Sequence, residues 1–222
     1  MTQTIATELT ETITKLVLEE LSKVGLAPSG EPLKYVPVGV SARHVHVNRA
    51  HMDILFGPGS ELTKFKDISQ PGQFAANEQV TLIGPKGTIE KVRILGPLRK
   101  DTQAEVSPSD ARKLGVNPPV KQSGVHDGTP GITLVGPKGT VVIERGCIVA
   151  ERHIHMTPAE ASAFGVQNGQ KVQVKIEGPR GGIMNEVMIR VRDDFALDMH
   201  IDTDDGNAFG LKTGDKVEII TE

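Results

Sequence analysis

The chain has 222 residues, of which 37% are hydrophobic, and its formal net charge is −3. This charge balance excludes the strongly basic surfaces typical of nucleic-acid and membrane-surface binding, and with no Trp and one Tyr the chain lacks stacking platforms for single strands. No apolar run approaches the ~20 residues needed to cross a bilayer. The single cysteine, Cys147, excludes an internal disulfide framework and favours a reducing, cytoplasmic location.

The first segment with a clear pattern is an amphipathic helix predicted over residues 4–24, where apolar residues recur at spacings of three and four. Gly25 is well placed to end it, and a Pro/Gly-rich linker follows over residues 27–32. Two interpretations stay open. The helix docks on the body or at a dimer interface, or it is a detachable segment that binds a partner through its apolar face.

The remainder of the chain alternates short apolar strands with tight turns. A Gly-Pro-Lys/Arg-Gly turn occurs at residues 84–87, 136–139 and 178–181. Proline fixes φ at the first central position of such a turn, and glycine supplies freedom at its end, so each turn predicts a β-hairpin. These turns are not phosphate-binding loops, because no helix pattern follows them.

Two tetrapeptides, Arg43-His44-Val45-His46 and Arg152-His153-Ile154-His155, mark an internal repeat. In each repeat a hairpin follows, then a strand and a short helical turn. Thr157 as N-cap, Pro158 at the first helical position and Gly165 at the end predict another such turn. Side chains of a strand alternate between its faces, so both imidazoles of a His-x-His pair point the same way. Aligning the repeats makes Glu105 the counterpart of His200.

Each repeat therefore carries three candidate metal ligands: His44, His46 and Glu105 in the first, His153, His155 and His200 in the second. Three such ligands with an open fourth position are typical of a catalytic zinc, whereas structural zinc usually has four protein ligands. A lone His-x-His pair is weak evidence, but a duplicated pair with a matched third ligand is much stronger. We interpret His51 and His126 as ordinary polar residues, and Cys147 as a small core residue rather than a nucleophile.

Arg99 lies six residues before Glu105, and a guanidinium near a metal ligand suits capture of phosphate or carboxylate. The alternative is a solvated surface arginine. Arg192 occupies a similar place in the second repeat.

These motifs resemble the PduL-type phosphotransacylases (phosphate propanoyltransferases) over residues 34–220. The resemblance is carried by residues 38–46, 96–99 with 102–105, 150–156 and 199–208. It implies a mainly β fold of two interlocked β-barrels with short capping helices, in addition to the N-terminal helix. The implied division is 1–32 for helix and linker, 33–42 with 151–222 for one barrel, and 43–150 for the other.

The resemblance further implies a phosphate acyltransferase that interconverts a short-chain acyl-CoA (propanoyl-CoA or acetyl-CoA) plus phosphate with acyl phosphate plus CoA. It implies two zinc ions per chain on the two ligand sets, Arg99 as the catalytic phosphate-binding residue, and Val40, Ser41 and Asn207 near CoA. Zinc-assisted direct attack of phosphate on the thioester is the expected mechanism, since no Ser or Cys shows an adjacent base.

Some members of that family work inside bacterial microcompartments, in propanediol degradation, and carry an N-terminal encapsulation helix. Residues 4–24 resemble one, which implies a microcompartment shell or core protein as partner; the helix is also compatible with a homo-oligomer. Two other functions stay open: a zinc-dependent thioester or phosphoester hydrolase, and a non-enzymatic metal-binding double-barrel module.

Overall fold

A computed structural model describes residues 34–220. These residues contain fifteen strands and four short helices. The strands are β1 (Tyr35–Ser41), β2 (His44–His46), β3 (Lys64–Asp67), β4 (Phe74–Ile83), β5 (Thr88–Gly96), β6 (Gln103–Glu105), β7 (Val120–Lys121), β8 (Ile132–Val135), β9 (Thr140–Ile143), β10 (Cys147–Ala150), β11 (His153–Met156), β12 (Lys171–Ile176), β13 (Gly182–Val191), β14 (Asp198–Asp202) and β15 (Lys216–Ile220). The helices are α1 (Arg49–Phe56), α2 (Pro108–Leu114), α3 (Pro158–Phe164) and α4 (Thr203–Phe209).

Six strands form a closed barrel in the order β1-β14-β11-β13-β12-β15. The earliest of these, β1, runs parallel to β14 and antiparallel to β15, so the start of the body is built into a barrel made otherwise from its C-terminal part. Burial alternates along β12, with Val172, Val174 and Ile176 inside and the intervening residues exposed. Each such aliphatic side chain contributes roughly 1.5–3 kcal/mol when it leaves water.

The other nine strands form a second sheet in the order β7-β10-β6-β2-β5-β4-β8-β9, with β3 paired to β4. It encloses its own apolar core, which includes Leu55, Leu82, Leu114 and Leu134. The expected mainly β architecture with short helices is confirmed. The finer division at residues 33–42 with 151–222 and 43–150 stays a prediction, and the predicted N-terminal helix and linker lie outside the described residues.

All three predicted hairpins are present, as the antiparallel pairs β4–β5, β8–β9 and β12–β13. Two of their turns also cap the C-terminal ends of helices. Lys86 donates its backbone N–H to the carbonyl of Leu114 at the end of α2, and Lys138 does the same to Leu55 near the end of α1, each at 3.0 Å. A helix end leaves carbonyls without intrahelical donors, so these turns satisfy them. A Cβ on Gly84 would lie 2.2 Å from the Leu114 carbonyl oxygen, which explains the glycine there.

Helices α2, α3 and α4 correspond to the short helical turns that the sequence predicts. Thr157 caps α3 through a capping box with Glu160, Pro158 opens the helix, and Gly165 ends it with left-handed backbone. Helix α2 likewise has a side-chain cap from Ser107, an opening Pro108 and a left-handed Gly115 at its end. Helix α1, which the sequence analysis did not predict, is capped by the side chain of Asn48. Among residues 34–220 there is no helix long and apolar enough to span a membrane.

Each repeat has an equivalent ion pair that holds the start of its His-x-His strand. Arg43 contacts Asp110 of α2 at 3.1 Å, and Arg152 forms a two-pronged contact with Asp205 of α4 at 2.8 and 2.7 Å. In each case the arginine directly before the His pair is held by an aspartate in the first turn of the repeat's helix. The repeated motif therefore reflects a repeated tertiary arrangement.

Candidate functional site

Both His pairs open into one cavity of about 1000 Å³. Strands of the closed barrel and of the nine-stranded sheet line it together. The candidate residues at its wall are His44, His46, Arg99, Glu105, His153, His155, His200, Val40 and Ser41. The structure thus brings together nearly all the residues that the sequence singled out.

The first cluster is formed by His44 and His46 on β2 and Glu105 on the adjacent strand β6. Antiparallel pairing sets His44 directly opposite Glu105. Each imidazole donates its Nδ1–H to a backbone carbonyl, His44 to Ala42 at 2.9 Å and His46 to Leu95 at 3.2 Å. The Nε2 atoms then face the carboxylate at 3.4 and 3.7 Å.

One ligand atom from each of these three residues lies within 4.8 Å of the others. A backbone hydrogen bond to the far ring nitrogen is the usual way of fixing a metal-binding tautomer. Two imidazoles and a carboxylate suit zinc and leave a coordination position for a further ligand. The first cluster could therefore hold a metal ion.

The electrostatics of the first cluster depend on Glu105. Burial opposes ionisation of this carboxyl, but His44, its hydrogen bond and His46 outweigh burial and hold the pKa of Glu105 well below its usual range. Burial also opposes protonation of His44, yet the neighbouring Glu105 raises the pKa of His44. The pKa of His46 falls well below normal because of burial, His44 and Arg99.

A hydrogen-bond network behind Glu105 fixes its carboxylate. Ser123 donates its hydroxyl hydrogen to Glu105 Oε1 at 2.8 Å and accepts from Arg99 Nη1 at 3.0 Å and Gln103 Nε2 at 2.9 Å. This uses the one donor and both lone pairs of the hydroxyl. Gln103 also donates to Glu105 at 2.6 Å and accepts from the Gly124 backbone and His126 Nε2, at 2.7 and 2.9 Å.

Arg99 lies mostly buried at the edge of this cluster, and burial lowers its pKa despite the nearby Glu105. Its backbone N–H bonds to Val47 at the end of the His-x-His segment at 2.9 Å. No carboxylate among residues 34–220 lies within 4.0 Å of its guanidinium. The cation is thus held in place by a neutral hydroxyl, which leaves its charge available to an anion in the cavity.

The second cluster consists of His153 and His155 on β11 and His200 on β14, with His153 directly opposite His200. Their ring centroids lie 4.6–5.0 Å apart. Two buried ring nitrogens, His155 Nδ1 and His200 Nε2, have no hydrogen-bond partner. Among residues 34–220, only the first cluster places one ligand atom from each of three residues within 4.8 Å of the others.

Burial, followed by Arg190 and the neighbouring imidazoles, pushes the pKa of His153 well below normal. Burial and His200 lower the pKa of His155 to about 3. Both imidazoles are therefore neutral at pH 7 and present lone pairs. The two buried nitrogens without a partner, on His155 and His200, fit a metal cation, since a buried polar atom otherwise requires a partner.

The predicted CoA-contacting residues are divided between two places. Val40 and Ser41, at the end of β1, line the cavity, whereas Asn207 is exposed on α4 and is absent from the cavity wall. Cys147 is fully buried in β10, and burial raises the pKa of its thiol to about 12. His51 bonds to Thr102 at 2.7 Å, as an ordinary polar residue does.

Three cavity residues, Ser123, Arg190 and Asp198, escaped sequence reasoning, as did Gln103, which bonds to Glu105 behind the cavity wall. Arg190 lies beside His155 on β13 and pairs with Glu151 at 3.0 Å. Ser123 belongs to a loop without periodic pattern, so nothing in the sequence marked it. Gln103 and Asp198 had a signal, because each precedes a third ligand by two residues and so shares its strand face.

The fold and this cavity define a mainly β protein with two histidine clusters that share one site. A family profile described as Phosphate propanoyltransferase matches residues 37–212. The chain belongs to the phosphate propanoyltransferase family, a family of acyltransferases.

Individual relatives agree with this assignment. The chain is 50% identical over 218 residues to a Phosphate propanoyltransferase of Rhodopseudomonas palustris, covering 94% of this chain and 96% of the relative. It is 55% identical over 184 residues to one of Thermotoga maritima, with 82% and 88% covered, and 52% identical over 203 residues to one of Rhodobacter capsulatus, with 91% and 94% covered.

Proposed function

We propose that the protein transfers an acyl group between CoA and phosphate, with propanoyl-CoA or acetyl-CoA as the acyl donor. The observation that carries this proposal is the single cavity in which Arg99 and both histidine clusters meet, in a chain of this family. Such a cavity has a cationic side chain for phosphate and room for a thioester beside it.

Arg99 binds and orients phosphate in this proposal. Its planar guanidinium matches phosphate oxygens, and its partial burial strengthens the interaction. His44, His46 and Glu105 would hold one zinc ion, and His153, His155 and His200 a second. A zinc ion bound there supplies positive charge that stabilises the oxyanion developing on the thioester carbonyl. Val40 and Ser41 lie where CoA would pass, and Asn207 is a proposed outer contact.

Direct displacement is the reaction course that we propose. A phosphate oxygen forms a bond to the carbonyl carbon, the carbon–sulfur bond breaks, and the CoA thiolate leaves and takes up a proton. An acyl-enzyme intermediate is disfavoured at Cys147 and at Ser123. Cys147 is buried with a pKa of about 12, and both lone pairs of Ser123 already accept hydrogen bonds.

The test is release of CoA from propanoyl-CoA with and without phosphate, followed with a thiol-reactive dye; the buried Cys147 adds no background. Phosphate-dependent release with formation of acyl phosphate supports the transferase. Release that needs no phosphate indicates a hydrolase, and no release under either condition indicates a binding module. Arg99→Ala should weaken phosphate use most, and His44→Ala or His155→Ala should lose bound metal; Arg145→Ala, whose side chain is exposed, is the control.

We also propose that residues 4–24 direct the enzyme to a shell or core protein of a bacterial microcompartment. The support is the amphipathic pattern and the Pro/Gly linker that follows it. Removing residues 1–32 should leave acyl transfer unchanged and abolish association with the compartment. Loss of activity on the same deletion would indicate a structural role for the segment.

A further inference from the structure

Asp198 is a buried carboxylate in the wall of the shared cavity, 4% exposed, which the reaction proposed above does not use. It lies on β14 two residues before His200, so both side chains point to the same face of the strand. Strand pairing also sets it directly opposite His155. The carboxylate therefore adjoins two of the three imidazoles of the second cluster.

The Asp198 carboxylate has no Lys or Arg partner in the described part of the chain. Its Oδ2 lies 3.2 Å from His200 Nε2, yet this nitrogen makes no hydrogen bond, so the contact has the distance of a hydrogen bond without its direction. Among residues 34–220 no Lys or Arg lies within 4.0 Å of Asp198. The nearby Arg190 is paired with Glu151 instead. A buried carboxylate is costly unless a cation or hydrogen-bond donors compensate it.

A glycine on the neighbouring strand leaves space for the Asp198 carboxylate. A Cβ built on Gly39 would lie 2.8 Å from Asp198 Oδ2, closer than van der Waals contact allows. Gly39 is on β1, the strand that runs parallel to β14 in the closed barrel. The absence of a side chain at residue 39 therefore keeps space for the Asp198 carboxylate.

Comparison of the two repeats shows which residue of the first cluster corresponds to Asp198. Gln103 stands opposite His46 and two residues before Glu105, as Asp198 stands opposite His155 and two residues before His200. The first repeat thus has an amide followed by a carboxylate, and the second has a carboxylate followed by an imidazole. Each cluster contains one carboxylate, but at exchanged positions.

We propose that Asp198 is a positioning residue for the second cluster, where it supplies the negative charge that Glu105 supplies in the first. It accepts hydrogen bonds from, and offsets the charge of, the coordination shell of a divalent cation held by His153, His155 and His200. This inference rests on the metal-binding part of the proposed function, and not on acyl transfer. Outer-shell carboxylates typically change metal affinity by about 10- to 100-fold.

The test uses zinc binding to the full chain with His44→Ala, in which the first cluster is disabled and the remaining ion reports on the second. Zinc affinity is measured by competition with a chromophoric chelator, and bound zinc per chain by elemental analysis. Adding Asp198→Asn should weaken binding at least tenfold. Asp193→Asn, an exposed carboxylate of the same barrel segment, is the matched control and should change affinity less than twofold.

A charge-exchange variant separates loss of charge from loss of structure. Asp198→Gln with His200→Glu gives the second repeat the residue order of the first and keeps one carboxylate in the cluster. It should bind zinc at least tenfold more tightly than Asp198→Gln alone, and it decides the matter if Asp198→Asn does not fold. Unchanged affinity in Asp198→Asn, or no recovery in the exchanged pair, would overturn the proposal. A chain whose zinc binding depends on Asp198 but which transfers no acyl group would refute the transferase and leave this inference standing.

Discussion

Replacing Ser123 with alanine tests whether one hydroxyl couples Arg99, the proposed phosphate-binding residue, to the first cluster. The hydroxyl donates to Glu105 at 2.8 Å and accepts from Arg99 at 3.0 Å. Hydrogen bonds to charged groups contribute about 1.5–3 kcal/mol each. Because a water molecule partly replaces the lost hydroxyl, we expect a loss equal to one such bond. That corresponds to about a 10- to 100-fold drop in kcat/KM for phosphate.

The assay is the phosphate dependence of CoA release, with bound zinc per chain measured in parallel. Ser123→Ala should raise KM for phosphate more than KM for propanoyl-CoA, since Arg99 loses its anchor while the wall near Ser41 is untouched. Ser60→Ala is the matched control, because that hydroxyl only donates to the Phe56 carbonyl at 3.0 Å. If both Michaelis constants and the zinc content of Ser123→Ala stay within twofold of the parent protein, the coupling argument is wrong.

Two further predictions concern stability. The folded pKa of His155 is about 3, against about 6.5 unfolded. Only the unfolded chain takes up this proton on mild acidification, so the free energy of unfolding falls as pH drops from 6.5 towards 3. At pH 5.5 the loss in metal-free protein is about 1.4 kcal/mol. His155→Gln should remove that part of the pH dependence, measured by urea unfolding. Gly84→Ala places a Cβ 2.2 Å from the Leu114 carbonyl oxygen and should destabilise the fold by about 3 kcal/mol. Gly182→Ala, where the nearest atom would lie at 3.4 Å, should be close to neutral. Equal thermal midpoints for the two variants would contradict this.

The predictable parts of this fold were those with local chemistry. Hairpins followed from Pro and Gly in fixed turn positions, and α3 from Thr157, Pro158 and Gly165 around a short apolar pattern. Helix α1 was missed although Asn48 and Gly57 are local start and stop signals; only the hydrogen bond from Lys138 to the Leu55 carbonyl is not local. A carbonyl satisfied from more than eighty residues away leaves no mark in the helix's own sequence.

The candidate site was predictable as far as the repeat extended. Strand periodicity placed His44 with His46, and comparison of the repeats added Glu105, which the structure places in one cluster with them. Ser123 could not be found this way, because its contact with Arg99 joins two loops that are 24 residues apart in sequence. A serine in an irregular loop acquires its role only from tertiary packing.

Duplication also explains how two similar halves come to differ in charge. Arg99 and Arg192 occupy similar places in the repeats, but Arg192 pairs with Asp194 at 2.6 Å in an exposed position and stacks on Phe195, which in turn covers His155. Its charge is neutralised locally, whereas Arg99 is partly buried and bonded to the neutral Ser123. Arg99, which has no direct carboxylate partner within the described part of the chain, therefore lies beside the first cluster, and under the proposed function we expect an anionic substrate to bind in that half of the cavity. The second half, with a neutralised arginine and a buried Asp198, is suited to retaining a cation rather than to attracting phosphate.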